Sequence, residues 1–498
     1  MGLFITSAAE AQEPGVFALE IAPPRFIAGV STGFIGLVAQ FAWGPDEVVV
    51  TPESPQQFLD LFEPAGSPRT STGYRATIGR KKAPWKIVRA LASDATAAVL
   101  STAGTGGNVV STAKYKGALG NSITVQQADA ASGLVGAKDF TVTLTDPTTG
   151  TTREVYEDVL LPAGGVAVTV DVTDSKLLAS LVVEGALTVF PANGTAALTG
   201  GSNSAALGIV AADYTGTLDS NNRGVALFES HDDVRVVCHD DCGNTLRAAI
   251  NAAFALHVAS LGDRMALLDG NLDAASWAAV KALVAGSLIS DRVRFYGAWV
   301  QVYDDAGTLQ STPMSTFAAT VIVNTTPQLS DARWADECTD YYQAIQGITA
   351  AFSTGSKTVR REATALGVAL PIKLASGRYA VLHDRTTSQT SGRKFAIRRR
   401  ITDFLALSLV AALPEYINSP NVQERFGQIK VIVDAFLGQL VKDGVIVSFS
   451  TDIRTPNTPA TAAAGEFYLG IDARTPAPME KILLLVNAGE AVTVREAA

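Results

Sequence analysis

The 498-residue chain has little cysteine, histidine or methionine: three, four and four residues. Three thiols cannot staple a fold of this length, so a disulfide scaffold is excluded and a reducing compartment is expected. Charge is sparse as well, at 17% of residues, and it is acidic: 39 Lys and Arg against 48 Asp and Glu leave a net charge of −9. A chain of this sign without a dense basic stripe is not expected to have nucleic acid as its main partner. Long apolar runs are missing. The longest, residues 404–413, is interrupted by Ser408 and closed by Pro414, short of the roughly 20 residues that span a bilayer. Residues 1–7 have neither a basic region nor an apolar core, so no secretory signal is expected and the protein reads as soluble and cytoplasmic. Glycine (43) and proline (21) are at their usual share, which excludes collagen-like and low-complexity chains. What is abundant is apolar material, 47% of residues. That is enough for large cores, and the length corresponds to about three domains.

The chain changes character along its length. Residues 1–25 carry no helix signal; Pro14-Gly15 and Pro23-Pro24 isolate a short strand at 16–21. Residues 26–102 read as mixed α/β, with strands at 34–38 and 48–50 and a helix through 62. Ser54 is placed to cap that helix and Pro55 to occupy its first turn. Residues 103–205 are rich in Gly, Thr, Ser and Val. Strands at 123–126, 140–144, 166–172 and 186–190 alternate with turn signals, so this stretch reads as an inserted β-rich domain. Residues 206–350 alternate strand and helix: strands at 234–237, 265–268, 294–302 and 320–323, helices at 244–261 and 273–284. That alternation implies a parallel sheet with right-handed crossovers. Residues 351–475 form an α+β unit with helices at 401–413 and 422–441, and strands at 445–449 and 466–471. A Pro-rich break then precedes a last strand at 482–486.

The motifs with chemical potential are weak. Gly29-Val30-Ser31-Thr32-Gly33 matches G-x-S-x-G, which needs a strand turning sharply into a helix. Here a strand follows, so the residues read as a small-residue turn. Cys238-His239-Asp240-Asp241-Cys242 has a spacing that zinc permits, but it lacks a second ligand pair. Cys338 stands alone, and His231, His257 and His383 form no partner motif. No serine or cysteine has a companion base by spacing. Asp232-Asp233 and Asp304-Asp305 read as surface carboxylates. Gly104-Thr105-Gly106-Gly107 lacks the spacing and ending of a phosphate loop and reads as a hinge. The basic cluster is Arg398, Arg399 and Arg400, with Arg393 and Lys394 nearby. It sits at a helix start, where the dipole disfavours cations. It is either a solvated helix start or a contact with a partner protein.

The order of segments resembles that of the contractile tail sheath proteins of phages, bacteriocin-like particles and injection systems. The resemblance is carried by residues 14–20 (PGVFALE), 27–33 (IAGVSTG), 36–45 (GLVAQFAWGP), 114–125 (KYKGALGNSITV), 198–202 (LTGGS), 227–237 (LFESHDDVRVV), 264–269 (RMALLD) and 395–447. One departure is residues 312–319 (TPMSTFAA), which stand where the family often has a proline- and glycine-rich signature. The resemblance implies an α/β multidomain protein. Its parts would be a central, subtilisin-like sheath domain (26–102 and 206–350), an inserted β-sandwich-like domain (103–205), an α+β C-terminal domain (351–475), and arms at 1–25 and 476–498. It implies a structural subunit rather than an enzyme, with no cofactor and no membrane insertion. Such subunits polymerise as stacked helical rings around an inner tail tube, then contract to drive the tube through a target envelope. The partners implied are copies of itself, the tail tube protein, and the baseplate and terminator proteins. The location implied is a virion tail assembled in a bacterial cytoplasm.

Such subunits must stay linked while their bodies slide apart. Strands added to a neighbour's sheet achieve this, because backbone hydrogen bonds hold whatever the body's rotation. The candidate exchange strands are Val16, Phe17, Ala18, Leu19, Glu20 and Ile21 at one end, and Ile482, Leu483, Leu484, Leu485 and Val486 at the other. The residues alone leave open whether these strands complete the chain's own sheets; the resemblance favours exchange. Arg398, Arg399 and Arg400 are the candidate tube-facing residues. Two alternatives stand beside this reading. One is a serine hydrolase using Ser31, which an active-serine probe would detect. The other is a baseplate or sheath-terminating protein of the same lineage, distinguished by copy number per particle. The Cys238–Cys242 motif has its own check: native mass spectrometry of the purified chain is expected to give the metal-free mass, and stoichiometric zinc would reassign these residues.

Overall fold

The computed structural model describes residues 3–5, 17–19, 27, 29–30, 33–80, 83–204, 206, 208–216, 223–272, 274, 276–284, 288–418, 423–455, 457–482, 485–487 and 493–495. It divides into two units: residues 31–400 with 477–498, the central unit, and residues 1–30 with 401–476.

The central unit is built on strands that read as near-continuous apolar runs, as expected where both faces of a parallel sheet are covered. They are β1 Phe34–Ala39, β2 Val49–Val50, β3 Trp85–Arg89, β4 Val234–His239, β5 Met265–Asp269, β6 Val293–Tyr296 and β7 Val368–Ala369. Their order across the sheet is β2-β3-β1-β4-β5-β6-β7. All neighbours are parallel except the antiparallel pair β2 and β3. Side chains alternate between two cores. Ile35, Leu37, Val236 and Leu267 pack with Phe58, Phe62, Met314 and Phe317 on one face. Val38, Val237, Ala266 and Leu268 pack with Ile250, Phe254, Val258 and Trp277 on the other.

The helices follow their local signals where those are strong. In α1 (Pro55–Phe62), Ser54 accepts a hydrogen bond from the Gln57 amide at 3.1 Å. Helix α2 (Asn244–Leu261) ends on Gly262 at φ +73°, a left-handed cap that glycine adopts freely. Helix α3 is Trp277–Val284. Residues 320–323, expected as a strand, lie instead within α4 (Met314–Asn324). The cause is burial all round: every residue from Met314 to Val323 is buried, so the segment has no polar face to reveal a helical period. Its threonine hydroxyls bond back to the helix, with Thr316 donating to the Pro313 carbonyl at 3.0 Å, Thr320 to Thr316 at 2.9 Å and Thr325 to Val321 at 2.7 Å. The expected strand 294–302 is two strands. β6 ends at Tyr296, and Trp299–Tyr303 belongs to a separate three-stranded sheet between Leu309–Thr312 and Ile345–Thr349.

The inserted segment is a sandwich of two antiparallel four-stranded sheets. One holds Gly150–Leu160, Ala137–Asp146, Thr124–Asp129 and Gly194–Ala197; the other Val168–Val170, Leu178–Val183, Asn108–Ala113 and Val99–Ala103. Phe140, Val142, Leu144, Leu178, Leu181 and Val183 fill the space between them, and Trp43 enters the same core. The Trp43 indole donates to the Lys176 carbonyl at 3.1 Å.

The second boundary falls later than the expected 350/351. Helix α5 (Lys357–Leu366) leads into β7, which pairs with β6 in the central sheet. The division therefore comes within α6 (Ala396–Ala412), at 400/401. The second unit packs α7 (Gln423–Lys442) through Ile429, Val433, Phe436 and Leu437, with Phe404 and Phe436 rings 6.5 Å apart. Its hairpin pairs Ser448–Asp452 with Gly470–Arg474. No described helix is long and apolar enough to cross a membrane.

A fully buried cation ties the edge of the central sheet together. Arg294 on β6 is 0% exposed. Its Nε donates to Asp331 Oδ2 at 3.1 Å and its Nη2 to the His383 carbonyl at 2.8 Å. Tyr296 donates to the same Asp331 oxygen at 3.0 Å. Asp384 lies 3.8 Å from the guanidinium, and burial pushes its carboxyl up to about 6. Substituting Arg294→Leu would leave Asp331 and Asp384 buried without their cation. The expected loss is about 3–5 kcal/mol, read as a lower urea midpoint or as insoluble protein; an unchanged midpoint would refute the pairing.

Candidate functional site

The expected exchange strands lie in small sheets at the two ends of the chain. Phe17, Ala18 and Leu19 form a strand in parallel register with Leu3–Ile5. Leu485 and Val486 open the strand Leu485–Asn487, which is antiparallel to Thr493–Arg495. Ile482 is 74% exposed. Val16, Glu20, Ile21, Leu483 and Leu484 lie outside the described residues. Each pair is a two-stranded sheet joined to no other described strand. Two-stranded ribbons are marginal in water, and their open edges are templates for a further strand. The hairpin of Ser448–Asp452 and Gly470–Arg474 is a third such ribbon, with alternate residues exposed. Sequence reading missed the partner strands Leu3–Ile5 and Thr493–Arg495, because three residues are too few to show a period.

The three arginines occupy the first turn of α6 but do not act together. Arg400 reaches back to the end of α4: its guanidinium donates to the carbonyls of Ile322 at 2.7 Å, Thr325 at 3.3 Å and Leu329. Ile322 lies in the last turn of α4 and Thr325 is its cap, where carbonyls have no helical amide to accept from, and Leu329 lies in the turn beyond. Arg399 lies 3.8 Å from Asp291, and Arg393 lies 3.9 Å from the same carboxylate. Arg398 packs over the Phe395 ring at 5.7 Å and donates to the Gly392 carbonyl at 3.3 Å. The unfavourable dipole is offset by Asp384, whose carboxylate accepts the Ile397 amide at 3.0 Å.

In parallel α/β sheets, ligands bind beyond the carboxyl ends of the strands where the strand order reverses. That point here lies between β1 and β4, and the Cys238–Cys242 motif is the end of β4. Asp240 is 0% exposed. Its carboxylate accepts from the Gln40 amide at 2.8 Å, from the Tyr214 hydroxyl at 2.6 Å and from Thr72. Burial pushes its pKa up, and the three donors oppose that shift. The His239 ring nitrogens lie 2.7 Å from Asn251 Oδ1 and 2.8 Å from the Asp240 carbonyl. Burial, with Arg247 nearby, pushes the imidazole pKa down. Cys238 and Cys242 are buried free thiols; burial raises both, Cys242 to about 12. Asp240 joins the two strand ends, while Cys238 and Cys242 pack into the cores on opposite faces of the sheet; no group of three or more possible metal ligands occurs among the described residues. Ser31 lies outside the described residues. Gly33, at φ +79°, enters β1 directly, and a Cβ there would stand 2.4 Å from the Asp233 carbonyl. The turn thus leads into a strand, whereas a nucleophile elbow leads into a helix.

No protein-family model matches the chain, and no curated protein matches it. Solved structures do. The sheath tail protein of Desulfitobacterium hafniense aligns over 89% of this chain and 94% of its own, with a TM-score of 0.62 at 16% identity. The sheath tail protein of Listeria innocua aligns over 90% and 96%, with a TM-score of 0.58 at 15% identity. The helical sheath of the anti-feeding prophage, in its contracted state, aligns over 97% and 100%, with a TM-score of 0.55 at 15% identity. Identity this low carries architecture and leaves function to be argued. The segment order read from the sequence and the sheets observed in the structure converge on these proteins: the chain has the fold of the tail sheath proteins.

Proposed function

We propose that this chain is the structural subunit of a contractile tail sheath. It polymerises as stacked helical rings around an inner tube and shortens to drive that tube through a target envelope. The observation that carries the reading is the extent of the shared fold, which spans 89–97% of this chain and 94–100% of the sheath proteins above. The proposal extends to a particle tail as the location, with assembly in the host cytoplasm and with tube, baseplate and terminator proteins as partners. The central strand order, with its single reversal between β1 and β4, supports the subtilisin-like description of that domain.

The ends supply the links in this proposal. A head-to-tail contact repeated by a non-closing operator builds a helical array. The terminal ribbons, with open edges, are suited to lend strands, and the Ser448–Asp452 hairpin to receive them. About four backbone bonds per exchanged strand, at ~0.5–1.5 kcal/mol each, are weak singly. Repeated around every ring, they act together through multivalency.

Two experiments test this. Deleting residues 479–498 is expected to leave a folded protein, with unchanged circular dichroism, that no longer forms tubes in negative-stain micrographs; tubes from the truncated chain would remove the arm mechanism. For the tube-facing surface, Arg398→Glu with Arg399→Glu is expected to keep the melting temperature within a few degrees while weakening co-sedimentation with the tube protein. Arg400→Glu is expected to lower the melting temperature itself, because it strips the α4 carbonyls of their donor. Undiminished co-sedimentation of the double variant would remove Arg398 and Arg399 as tube contacts.

A further inference from the structure

We propose that the ion pair between Arg385 and Glu480 anchors the root of the C-terminal arm on the central unit and presents the arm for capture by a second copy of the chain. The inference rests on the sheath reading and names the residue pair that would make its arm exchange work.

After Pro476 the chain leaves the second unit, and residues 477–498 group with the central unit. Pro476 and Pro478 keep this crossing extended. Met479 is 82% exposed and Ile482 74%, whereas the Glu480 side chain is only 17% exposed. The Glu480 side chain thus lies against the body while its neighbours Met479 and Ile482 face water. Arg385 Nε donates to its Oε1 at 2.9 Å and Nη2 to its Oε2 at 2.6 Å. This two-pronged geometry is the strong form of an arginine–carboxylate contact, fixing direction as well as distance.

The receiving side is held in place independently of the arm. Arg385 Nη1 donates to the Thr364 carbonyl at 3.1 Å, and the guanidinium lies 5.9 Å from the Phe395 ring centre. Its backbone bridges to Phe395, its amide donates to His383 Nδ1 at 3.1 Å, and its carbonyl accepts from buried Arg294. The fork therefore stands ready before Glu480 docks. A fixed root confines the strand beyond it to a small volume, which raises its effective concentration at a neighbour's open edge. It also reduces the ordering cost of capture. When bodies separate during contraction, tension along a captured arm would enter the central unit at this pair.

The test uses the full chain with Glu480→Gln, Arg385→Gln and the double variant. Trypsin reports on the root directly, because Lys481 adjoins it. Cleavage at Lys481 in the dilute monomer, followed by mass spectrometry, is expected to accelerate roughly tenfold or more in each single variant, the scale of a lost charge-assisted bond. The double variant is expected to be no worse than either single one, since the two act through one contact. The concentration at which tubes appear is expected to rise in all three. Unchanged cleavage in Glu480→Gln, or additive losses in the double variant, would overturn the anchor. Faster cleavage with an unchanged tube threshold would overturn its role in assembly. A wild-type chain that forms no tubes would count against the sheath reading, and the cleavage rates would still judge the anchor.

Discussion

The Arg294 guanidinium, wholly withdrawn from water, is the interaction around which this architecture is organised. A cation at that depth costs several kcal/mol unless it is paired and its N–H groups are used. The pairing here draws on distant stretches of chain: Asp331, which follows α4, and the carbonyls of His383 and Arg385. Meeting that demand holds the 383–385 loop against the edge of the central sheet. Two consequences follow along the chain. Asp384, held in the same cluster, accepts the first amides of α6 through its carboxylate and carbonyl, so α6 starts at a defined place. Arg385, the next residue, faces outward with its backbone already fixed. One buried charge thus sets both where the chain departs for the second unit and where it is received on return.

The body and the ends of the chain have opposite physics. Each strand of the parallel sheet is covered on two faces and paired on both sides except at the rims, so it cannot shift without exposing apolar surface. The ribbons of Leu3–Ile5 with Phe17–Leu19 and of Leu485–Asn487 with Thr493–Arg495 join no larger sheet. Their hydrogen bonds are local and readily replaced by equivalent bonds to another chain. On the proposed reading this division is what a contracting array needs. Rigid bodies can change their mutual placement while ribbons of low stability keep them in register.

How much of this could be read from sequence depended on whether a local signal or a distant partner decides the element. Ser54 and Pro55 start α1 and Gly262 ends α2, because caps act within a turn. Five strands of the central sheet, β1, β2, β4, β5 and β6, were legible as short apolar runs, whereas Trp85–Arg89, which carries Lys86 and Arg89, and the two-residue Val368–Ala369 were not. Residues 320–323 were not legible as helix, since a segment buried on all sides carries no period. Gly150–Leu160 was missed as a strand because most of its side chains are exposed or half-buried, leaving little apolar alternation to detect. Arg398, Arg399 and Arg400 looked like one basic patch because they are consecutive. On a helix, successive residues point about 100° apart, so one reaches Asp291, one packs on Phe395 and one caps α4. Adjacency in sequence is not adjacency in direction on a helix. The Arg385–Glu480 contact was invisible for the opposite reason: nothing local marks two residues so far apart in sequence as partners.

The crevice between β1 and β4 is spanned by hydrogen bonds. Where strand order reverses, the crossover connections on either side diverge and leave a gap at the carboxyl ends. A gap is useful to a protein that binds a ligand there, and a weakness to one that transmits force. In this chain the gap is bridged by hydrogen bonds: Asp240 at the end of β4 takes the amide of Gln40 at the end of β1, and Tyr214 contacts both side chains. Asn251 on α2 continues the network from His239 to the Asp269 carbonyl at the end of β5. The residues that looked most like chemistry in the sequence, Cys238 to Cys242, therefore sit where the two halves of the sheet would otherwise part. Asp240 bonds across that seam, whereas His239 bonds to Asn251 on α2 and Asp241 pairs with Arg247 at 2.6 Å.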